Sequence, residues 1–381
     1  MRSRLLWISL IAAACGTETV GLPDGQVTTQ SDARSADARS ADAPLGPDAA
    51  GGTPDAAPGA PDARADAGPI TGNELTQCTG RAFPAHPPGD WRHPIASPIV
   101  AAFEPYHAAD DALVSVTTGG TAAVMVGAKF QYSTIFKDLE DETIRVYLDD
   151  CSGWQLLGTA TTDGDGRISY TFPALGAGIY DVRYEVVGDA TTTPAQLWIL
   201  PRGTHLTVYD IDGTLTTSDF EIIKDLFFEI LTGDYVPEAY PKAAEMTWAH
   251  RDMKRVGVYI TGRPYWLRSM TREWLAGLSF APGPVFLTRT TGEALPTEGG
   301  VGDFKKGLIT GFGNAGFLLD NAQGNATTDI YAYLGSGIPP ASAYIIGDHG
   351  GESGTVAVVD TWAEHVTRIE YAGPVDQPFD W

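Results

Sequence analysis

The chain has 381 residues, of which 43% are hydrophobic, and its formal net charge is -23. This length and this supply of apolar side chains suffice for two or three domains with sizeable cores. The negative charge disfavours nucleic acids and general anionic surfaces as partners, because both repel an acidic protein.

The first fifteen residues have the pattern of an export signal. A basic start, Met1 to Arg4, precedes an apolar stretch, Leu5 to Ala14, that is too short to span a bilayer. The run IAAAC that ends at Cys15 resembles a bacterial lipoprotein processing site, with Ala in place of the usual Leu. We therefore expect an exported protein of the bacterial cell envelope, periplasmic or on the surface, anchored to the membrane by acyl chains on Cys15. Ordinary secretion is the alternative.

Residues 16–74 lack the large apolar side chains that a core requires. They repeat Asp-Ala and then become rich in Pro and Gly. Such a segment cannot offset the entropy cost of ordering, so we predict a flexible tether. An extended lead-in segment, residues 75–109, follows it.

Cys78 and Cys151 are the only cysteines beyond the tether. In an oxidising compartment two such thiols often pair, and a bond here would close a loop of some seventy residues. Two buried free thiols are the alternative.

Residues 110–203 are predicted to form an all-β, immunoglobulin-like sandwich. Short β-rich runs alternate there with turns, as in sandwiches of this size. The expected strands are 113–116, 122–132, 143–148, 154–161, 167–172, 179–187 and 196–199. This region shows no cluster of residues suited to catalysis, so its expected role is to position the region that follows.

Residues 204–381 have a different sequence pattern, in which single apolar strands alternate with segments of helical periodicity. This alternation predicts an α/β domain with a parallel sheet wound with helices. The expected strands are 206–209, 256–260, 285–287, 317–319, 343–346 and 356–359, and the expected helices include 220–232 and 266–275.

Two carboxylates, Asp210 and Asp212, follow the first of these strands in the sequence YDIDGTLT. Carboxylates at this spacing, where a strand stops, point to the same side. They face the crevice beyond the sheet edge, where open α/β sheets bind ligands. This geometry suits a nucleophile beside a proton donor.

The Asp-x-Asp-Gly-Thr sequence resembles motif one of the haloacid dehalogenase superfamily of phosphotransferases, and further residues follow in that superfamily's order. Thr261, after the second strand, matches the hydroxyl that holds the phosphoryl oxygens. Lys305 matches the lysine, and Asp329 matches the late acidic residue. Two alternatives stay open: Lys306 in place of Lys305, and Asp320, which ends its own predicted strand, in place of Asp329 or assisting it.

The resemblance implies covalent catalysis through an aspartyl phosphate. Asp210 would attack phosphorus, and Asp212 would protonate the leaving alkoxide and then activate water. Mg²⁺ would be held by the Asp210 carboxylate, the main-chain carbonyl of Asp212 and Asp329, with waters completing an octahedron. Lys305 and Thr261 would stabilise the charge on the transferring group.

Closer resemblances exist within that superfamily. The runs DIDGTLT at 210–216 and NATTDIYAY at 325–333 look like the lipin phosphatidate phosphatases. The runs YITGRP at 259–264 and AYIIG at 343–347 look like the C-terminal region of the membrane-associated phosphatidylinositol transfer proteins, where a sandwich also precedes a lipin-like domain. Those transfer proteins lack the first Asp of the motif and bind phosphatidate without hydrolysing it, whereas this chain keeps Asp210.

These resemblances imply a Mg²⁺-dependent, lipin-type phosphatase for phosphatidate or a related lipid phosphate monoester, acting as a monomer on a membrane that its lipid anchor reaches. Only about forty residues separate Asp219 from Val256, so we expect an open site without a large capping domain. Three alternatives remain. The chain is a phosphatidate-binding module without turnover, a phosphatase for a soluble phosphate ester, or an adhesion sandwich with the α/β part as scaffold.

Overall fold

A lead-in segment of short elements precedes the sandwich in the computed structural model, which describes residues 74–133, 136–217, 237–290 and 292–381. The segment contains strand β1 (Thr76–Cys78) and helix α1 (Ala96–Val100). The predictions of an export signal, of a tether up to residue 73 and of a helix at 220–232 lie outside the described residues.

A β-sandwich follows, as predicted. In β4 the alternate residues Val124, Val126 and Ala128 are buried in its core, because successive side chains of a strand point to opposite faces. One sheet has the order β3-β11-β10-β7-β8 with β1 beside β10, a second has the order β2-β4-β9, and β5 pairs with β6. The strands are β2 (Ala108–Ala109), β3 (Ala112–Val116), β4 (Ala122–Lys129), β5 (Gln131–Tyr132), β6 (Lys137–Asp138), β7 (Thr143–Asp149), β8 (Trp154–Thr161), β9 (Arg167–Leu175), β10 (Gly178–Val186) and β11 (Thr192–Pro201).

A parallel sheet with the order β14-β13-β12-β15-β16-β17 forms the second region and confirms the predicted α/β architecture. Its central strand is buried almost throughout, as expected for a parallel strand covered on both faces. The strands are β12 (His205–Tyr209), β13 (Val256–Pro264), β14 (Val285–Thr288), β15 (Leu318–Gly324), β16 (Ala343–Ile346) and β17 (Val356–Val358).

Helices cover both faces of this sheet. Ile309, Phe312 and Ile330, from the fourth and fifth helices, pack in one hydrophobic cluster, and Met246 and Trp274, from the second and third, pack in another. The helices of this region are α2 (Ala243–Asp252), α3 (Arg268–Gly277), α4 (Asp303–Ala315), α5 (Thr327–Gly335) and α6 (Ala363–Ala372). Within the described ranges, none of the helices combines the length and the apolar character needed to cross a bilayer.

The sandwich and the parallel sheet share one hydrophobic core. Ile179, Trp198 and Leu200 of the sandwich belong to the same buried cluster as Leu206 and Val208 of β12. Each fully buried side chain of this size contributes about 1.5–3 kcal/mol relative to exposure. Residues of the sandwich and of the strand that leads to Asp210 therefore belong to one buried cluster.

Two adjacent aspartates add a polar connection between the same regions. Asp111 accepts the main-chain N–H of Val285, the first residue of β14, at 2.9 Å and pairs with Arg272 of α3. Asp110 pairs with Arg268 of α3 at 3.0 Å. Because Asp111 and Arg268 are almost fully buried, these contacts fix β14 and α3 against the sandwich.

A disulfide joins Cys78 to Cys151, which is one of the two alternatives for these residues. It ties β1 to the turn that follows β7. The same lead-in segment also reaches the end of the chain, since the N–H of Leu75 donates to the carbonyl of Asp380 at 2.8 Å. Both ends of the described chain are thus attached to the folded body.

Strand β15 is longer than predicted, since it runs from Leu318 to Gly324 instead of ending at Leu319. Its second half pairs with β12 and β16. The polar residues Asp320 and Asn321 interrupt the apolar run on which the prediction rested. The residue that follows the carboxyl end of this strand is therefore Asn325 and not Asp320.

Candidate active site

The candidate site lies at the carboxyl edge of the parallel sheet, in the loop after β12. The main-chain N–H of Asp210 donates to the carbonyl of Gln323 at 3.0 Å, so the loop begins bonded to β15. The chain then turns at Gly213, whose φ of 74° favours glycine because a side chain would be strained there. This turn lets Asp210 and Asp212 border the same cavity.

The cavity has a volume of about 550 Å³, which is within the range of pockets for organic ligands. Charged and amide groups make up one part of its lining, namely Asp210, Asp212, Lys305, Asn325, Asp329 and Asp348. Apolar side chains make up another, namely Ala294, Pro296, Val301 and Ile346. Such a lining suits a ligand with a small charged group and an apolar part.

Asp210 is only 3% exposed. Its Oδ1 accepts a hydrogen bond from Lys305 Nζ at 2.6 Å, and its Oδ2 accepts one from the Thr214 hydroxyl at 3.0 Å. Burial, and then the charge of Asp329, raise the pKa of Asp210 to about 7, although Lys305 acts in the opposite direction. A carboxyl group with such a raised pKa at a cavity is typical of catalytic sites.

Lys305, in the first turn of α4, bridges two buried carboxylates. Its Nζ donates to Asp210 Oδ1 and to Asp329 Oδ1, each at 2.6 Å. Burial lowers the pKa of Lys305, but the charges of the two aspartates more than compensate, so the net shift of its pKa is upward. Lys306 instead lies with its Nζ 3.4 Å from the Tyr331 hydroxyl. The structure thus brings Lys305, and not Lys306, to Asp210.

Asp329 is fully buried near the start of α5. Its Oδ2 accepts the main-chain N–H groups of Asn325 at 3.0 Å and Ala326 at 3.1 Å, which satisfies donors at the helix N-terminus. Gly324 has no Cβ, and one built there would lie 2.6 Å from the Cβ of Asp329, so the approach requires glycine.

Asp320 lies away from this cluster, near the amino end of β15. It is ion-paired with His205 and with Arg255, each at 2.7 Å. Its position corrects the alternative in which Asp320 replaces or assists Asp329, because the longer β15 carries the site beyond it.

Asp212 is 7% exposed and is held by two groups from β13. The Thr261 hydroxyl donates to its Oδ2 at 3.0 Å. Arg263 donates through Nη2 to Oδ1 at 2.6 Å and through Nε to both oxygens at 3.0 Å. The predicted residues Asp210, Asp212, Thr261, Lys305 and Asp329 therefore all meet at this edge, and their catalytic roles stay predictions.

Three residues that contact these acids were not among the predicted site residues. Thr214 and Arg263 lie within the motifs DIDGT and TGRP, which the sequence does show. Both were interpreted as turn residues, so their contacts with Asp210 and Asp212 were not predicted. Asn325 was hidden because β15 continues to Gly324. The Thr214 hydroxyl lies 3.0 Å from Asp210 Oδ2 and 3.2 Å from Asn325 Oδ1, so Asn325 is also part of the cluster.

The chemistry of these groups suits a hard divalent cation, although no three His, Cys, Asp or Glu side chains of the described ranges converge closely enough to hold a metal alone. Among the residues that the structure describes, the three buried carboxylates of Asp210, Asp212 and Asp329 form ion pairs with two cationic side chains, Lys305 and Arg263. Oxygen donors among the residues that line the cavity include the carboxylates of Asp210 and Asp329 and the amide of Asn325. Mg²⁺ typically uses one or two carboxylates and completes its shell with waters and phosphate oxygens.

Two family models match the two regions of this fold. Residues 105–199 match the model described as PITM 1-3, beta-sandwich domain, and residues 207–347 match the model described as PITM 1-3, LNS2 domain. Both regions are homologous to the membrane-associated phosphatidylinositol transfer proteins. The second region, 207–347, is therefore called the LNS2 domain below.

Individual relatives agree with this homology. Membrane-associated phosphatidylinositol transfer protein 3 of Homo sapiens is 30% identical over 215 residues, covering 55% of this chain and 20% of the relative. Protein 1 of Rattus norvegicus is 27% identical over 289 residues, covering 72% of this chain and 21% of the relative. The chain thus spans about a fifth of the length of these relatives.

Similarity to solved structures is also found, at low TM-scores. The bacterial integrin-binding protein invasin is 15% identical, covers 26% of this chain and 19% of that chain, and has a TM-score of 0.19. A likeness this low carries no argument about fold or function.

Similarity to known proteins contradicts the predicted localisation. The relatives are membrane-associated phosphatidylinositol transfer proteins of eukaryotes, not exported bacterial lipoproteins. The predictions of an export signal and of a lipid anchor at Cys15 are therefore wrong. They rested on a basic start, a short apolar stretch and one cysteine, a pattern too simple to identify a processing site.

Proposed function

We propose that this chain is a Mg²⁺-dependent phosphomonoester hydrolase of the haloacid dehalogenase type, in which Asp210 takes the phosphoryl group. One observation carries the proposal. A buried aspartate, Asp210, borders a cavity at the carboxyl edge of a parallel sheet, and one of its carboxylate oxygens lies 2.6 Å from the Nζ of the buried Lys305. This aspartate is the one that the resembling transfer proteins lack.

In the proposed first step, an Asp210 carboxylate oxygen attacks phosphorus and the bond from phosphorus to the ester oxygen breaks. The leaving alkoxide takes a proton from Asp212, which borders the same cavity. The product is an aspartyl phosphate and a free alcohol. Lys305, which touches Asp210, supplies positive charge to the phosphoryl oxygens as they approach.

In the proposed second step, a water oxygen attacks phosphorus of the aspartyl phosphate while Asp212 accepts a proton from that water. The bond between phosphorus and the Asp210 oxygen breaks, and its electrons return to the carboxylate. Inorganic phosphate leaves, and both aspartates return to their starting forms. Asp212 thus gives a proton in the first step and regains one in the second, while Asp210 carries the phosphoryl group between the two steps.

Mg²⁺ would be held by the Asp210 carboxylate and the main-chain carbonyl of Asp212, with Asp329 and the Asn325 amide oxygen as the further donors that the chain offers. When bound, it would neutralise charge between the carboxylate and the phosphoryl oxygens. The surplus of buried negative charge described above supports its presence. Asp329 already receives three hydrogen bonds, from Lys305, Asn325 and Ala326, and the Asn325 amide oxygen accepts one from Thr214.

The proposed substrate is phosphatidate or a related lipid phosphate monoester. The relatives named above are phosphatidylinositol transfer proteins, which favours a phospholipid as the ligand of this chain as well. The apolar part of the cavity lining, formed by Ala294, Pro296, Val301 and Ile346, supports the same choice. A soluble ester would make little use of this apolar surface.

Binding of phosphatidate without turnover is the second candidate. Two features favour it. The relatives are named as transfer proteins, and Lys305 already occupies the space between Asp210 and Asp329 at 2.6 Å from each. In this alternative the charged groups hold the phosphate and release it unchanged.

A phosphate-release assay separates these candidates. The full chain is given phosphatidate in mixed micelles, glycerol 3-phosphate or 4-nitrophenyl phosphate, each with Mg²⁺ or with a chelator. We expect Mg²⁺-dependent release that is fastest from phosphatidate and that is lost in Asp210→Asn.

Binding of phosphatidate vesicles without release by the unmutated protein would favour the binding module. Faster release from glycerol 3-phosphate than from phosphatidate would favour a soluble substrate. Release that continues at the same rate in Asp210→Asn would contradict the assigned nucleophile.

A further inference from the structure

Arg263 forms the most extensive contact of the site without bordering the cavity. Its guanidinium makes three hydrogen bonds to the Asp212 carboxylate, of 2.6, 3.0 and 3.0 Å. Asp212 lines the cavity, whereas Arg263 is not among the lining residues. Arg263 therefore lies behind Asp212 as seen from a bound substrate, which it does not touch.

The guanidinium is itself fixed from several sides. Its Nη1 donates to the Thr271 hydroxyl at 3.1 Å, and its centre lies 5.8 Å from the ring of Trp274. The main chain of Arg263 is held as well, because its N–H donates to Thr261 Oγ1 and its carbonyl accepts from Thr288 Oγ1, both at 3.1 Å. The side chain is only 3% exposed, so water does not compete for its hydrogen bonds.

We propose that Arg263 is a positioning residue that holds the Asp212 carboxylate toward the cavity for the second chemical step, the attack of water on the aspartyl phosphate. This inference rests on the proposed function. Between the two steps Asp212 has given its proton to the alcohol and must accept another from water. A planar guanidinium that engages both carboxylate oxygens fixes the orientation of the acceptor at that moment.

Lysine cannot replace this contact. Its ammonium is a single point of charge on a flexible stem, and it cannot bind two carboxylate oxygens in one plane. Arg263→Lys therefore keeps the positive charge beside Asp212 but removes the planar contact, which leaves the Thr261 hydroxyl to orient the carboxylate. The variant therefore tests the orientation of the Asp212 carboxylate while the positive charge beside it is kept.

The test compares the two chemical steps with 4-nitrophenyl phosphate, whose leaving group departs readily without a proton. The ratio kcat/KM reports events up to release of 4-nitrophenol, whereas kcat includes hydrolysis of the phosphoenzyme. In Arg263→Lys we expect kcat to fall about 100-fold, as for loss of general-base assistance. We expect kcat/KM to stay within about threefold, and one equivalent of 4-nitrophenol to appear in a burst.

Two controls accompany this variant. Arg268→Lys changes another buried arginine that is paired with an aspartate, and it should give no burst. In Asp212→Asn, adding Arg263→Lys should cause no further loss of kcat, because residues that act through one another are not additive.

Equal falls in kcat and kcat/KM without a burst would overturn the inference and leave the proposed function standing. A full additional loss in the double variant would also overturn it. The absence of any hydrolysis by the unmutated protein would overturn the proposed function and this inference together.

Discussion

Buried acids occur in both regions of this molecule, but they have different surroundings. In the sandwich, Glu142 is 1% exposed and accepts the main-chain N–H groups of Arg92 and His93 and the hydroxyl of Ser97. In the LNS2 domain, Asp210 is similarly buried but borders a cavity of about 550 Å³. One acid is covered by the lead-in segment, and the other faces space that a ligand can enter.

This contrast distinguishes a structural carboxylate from a functional one. Two further buried acids of the sandwich, Asp149 and Glu185, are likewise bonded to the lead-in residues Arg81 and His86, and a third, Asp111, is bonded to Val285 and Arg272. In the LNS2 domain Asp210, Asp212 and Asp329 converge from β12 and α5 on one cavity. Burial of an acidic side chain alone therefore says little about function. Several buried acids that line one cavity are a better indication of a candidate catalytic site.

The largest expected effect comes from removing Lys305, the cationic partner of Asp210 and Asp329 in the LNS2 domain. Lys305→Met leaves Asp210 and Asp329 buried without the cation that they share, which should lower the free energy of unfolding by about 3–5 kcal/mol and abolish phosphate release. Lys306→Met is the matched control, since its 3.4 Å contact with Tyr331 should be worth less than about 1 kcal/mol. Urea denaturation measures both. Equal losses in the two variants would contradict the assignment of Lys305.

The disulfide of the sandwich offers the opposite case, a large effect on stability without an effect on chemistry. The double variant Cys78→Ser, Cys151→Ser opens a loop with a sequence separation of 73. The chain-entropy model gives a loss of about 4 kcal/mol in the free energy of unfolding. Phosphate release per folded molecule should be unchanged. A fall in that rate would mean that the lead-in segment acts on the LNS2 site.

Glu142 tests whether a buried acid of the sandwich is only structural. Glu142→Gln weakens hydrogen bonds to Arg92, His93 and Ser97 and should cost about 2 kcal/mol. Glu140→Gln, in an exposed pair with Lys137, should cost less than about 0.5 kcal/mol. Denaturation curves and phosphate-release rates are measured for both variants. A change in the rate with Glu142→Gln would remove the distinction between the two regions.

His365, which is buried beside β15, should make the stability of the LNS2 domain depend on pH. Burial lowers its pKa to about 3, whereas an unfolded histidine has a pKa of about 6.5. The unfolded chain therefore takes up the proton first, and stability present above pH 6.5 is lost as the pH falls toward 3. Between pH 6.5 and 5.5 this histidine should account for about 1 kcal/mol of the loss.

Urea denaturation at the two pH values measures this contribution. His365→Gln should lose about 1 kcal/mol less than the unmutated protein over that interval. His349→Gln, at an exposed position, is the control and should behave like the unmutated protein. The same loss in His365→Gln as in the unmutated protein would show that the buried imidazole is not the cause.

The fold was largely accessible from the sequence because its signals are local. In β4, buried and exposed residues alternate because one face of the strand is covered. In β12, Leu206 to Tyr209 are all buried because both faces are covered. Strand β15 was underestimated because Asp320 and Asn321 are polar, and only pairing with neighbouring strands explains why they lie in the sheet. Residues 218–236 lie outside the described structure, so the helix predicted there stays a prediction.

The candidate site was accessible in part, for a physical reason. Asp210, Asp212, Thr261, Lys305 and Asp329 were found because they resemble motifs of a known family. The pair between Asp212 and Arg263 joins residues 51 positions apart, and such a contact leaves no periodic pattern in the sequence. Long-range ion pairs at a sheet edge become visible only when the strands are placed side by side.

The most direct test of the central claim is to trap the phosphoryl group on Asp210. Phosphatidate labelled in its phosphate is mixed with the full chain and Mg²⁺, the reaction is quenched in acid within its first turnover, and the labelled peptide is identified. We expect the label on the peptide that contains Asp210, and none in Asp210→Asn. Release of phosphate without any label on that peptide, or with equal labelling of Asp210→Asn, would contradict the account.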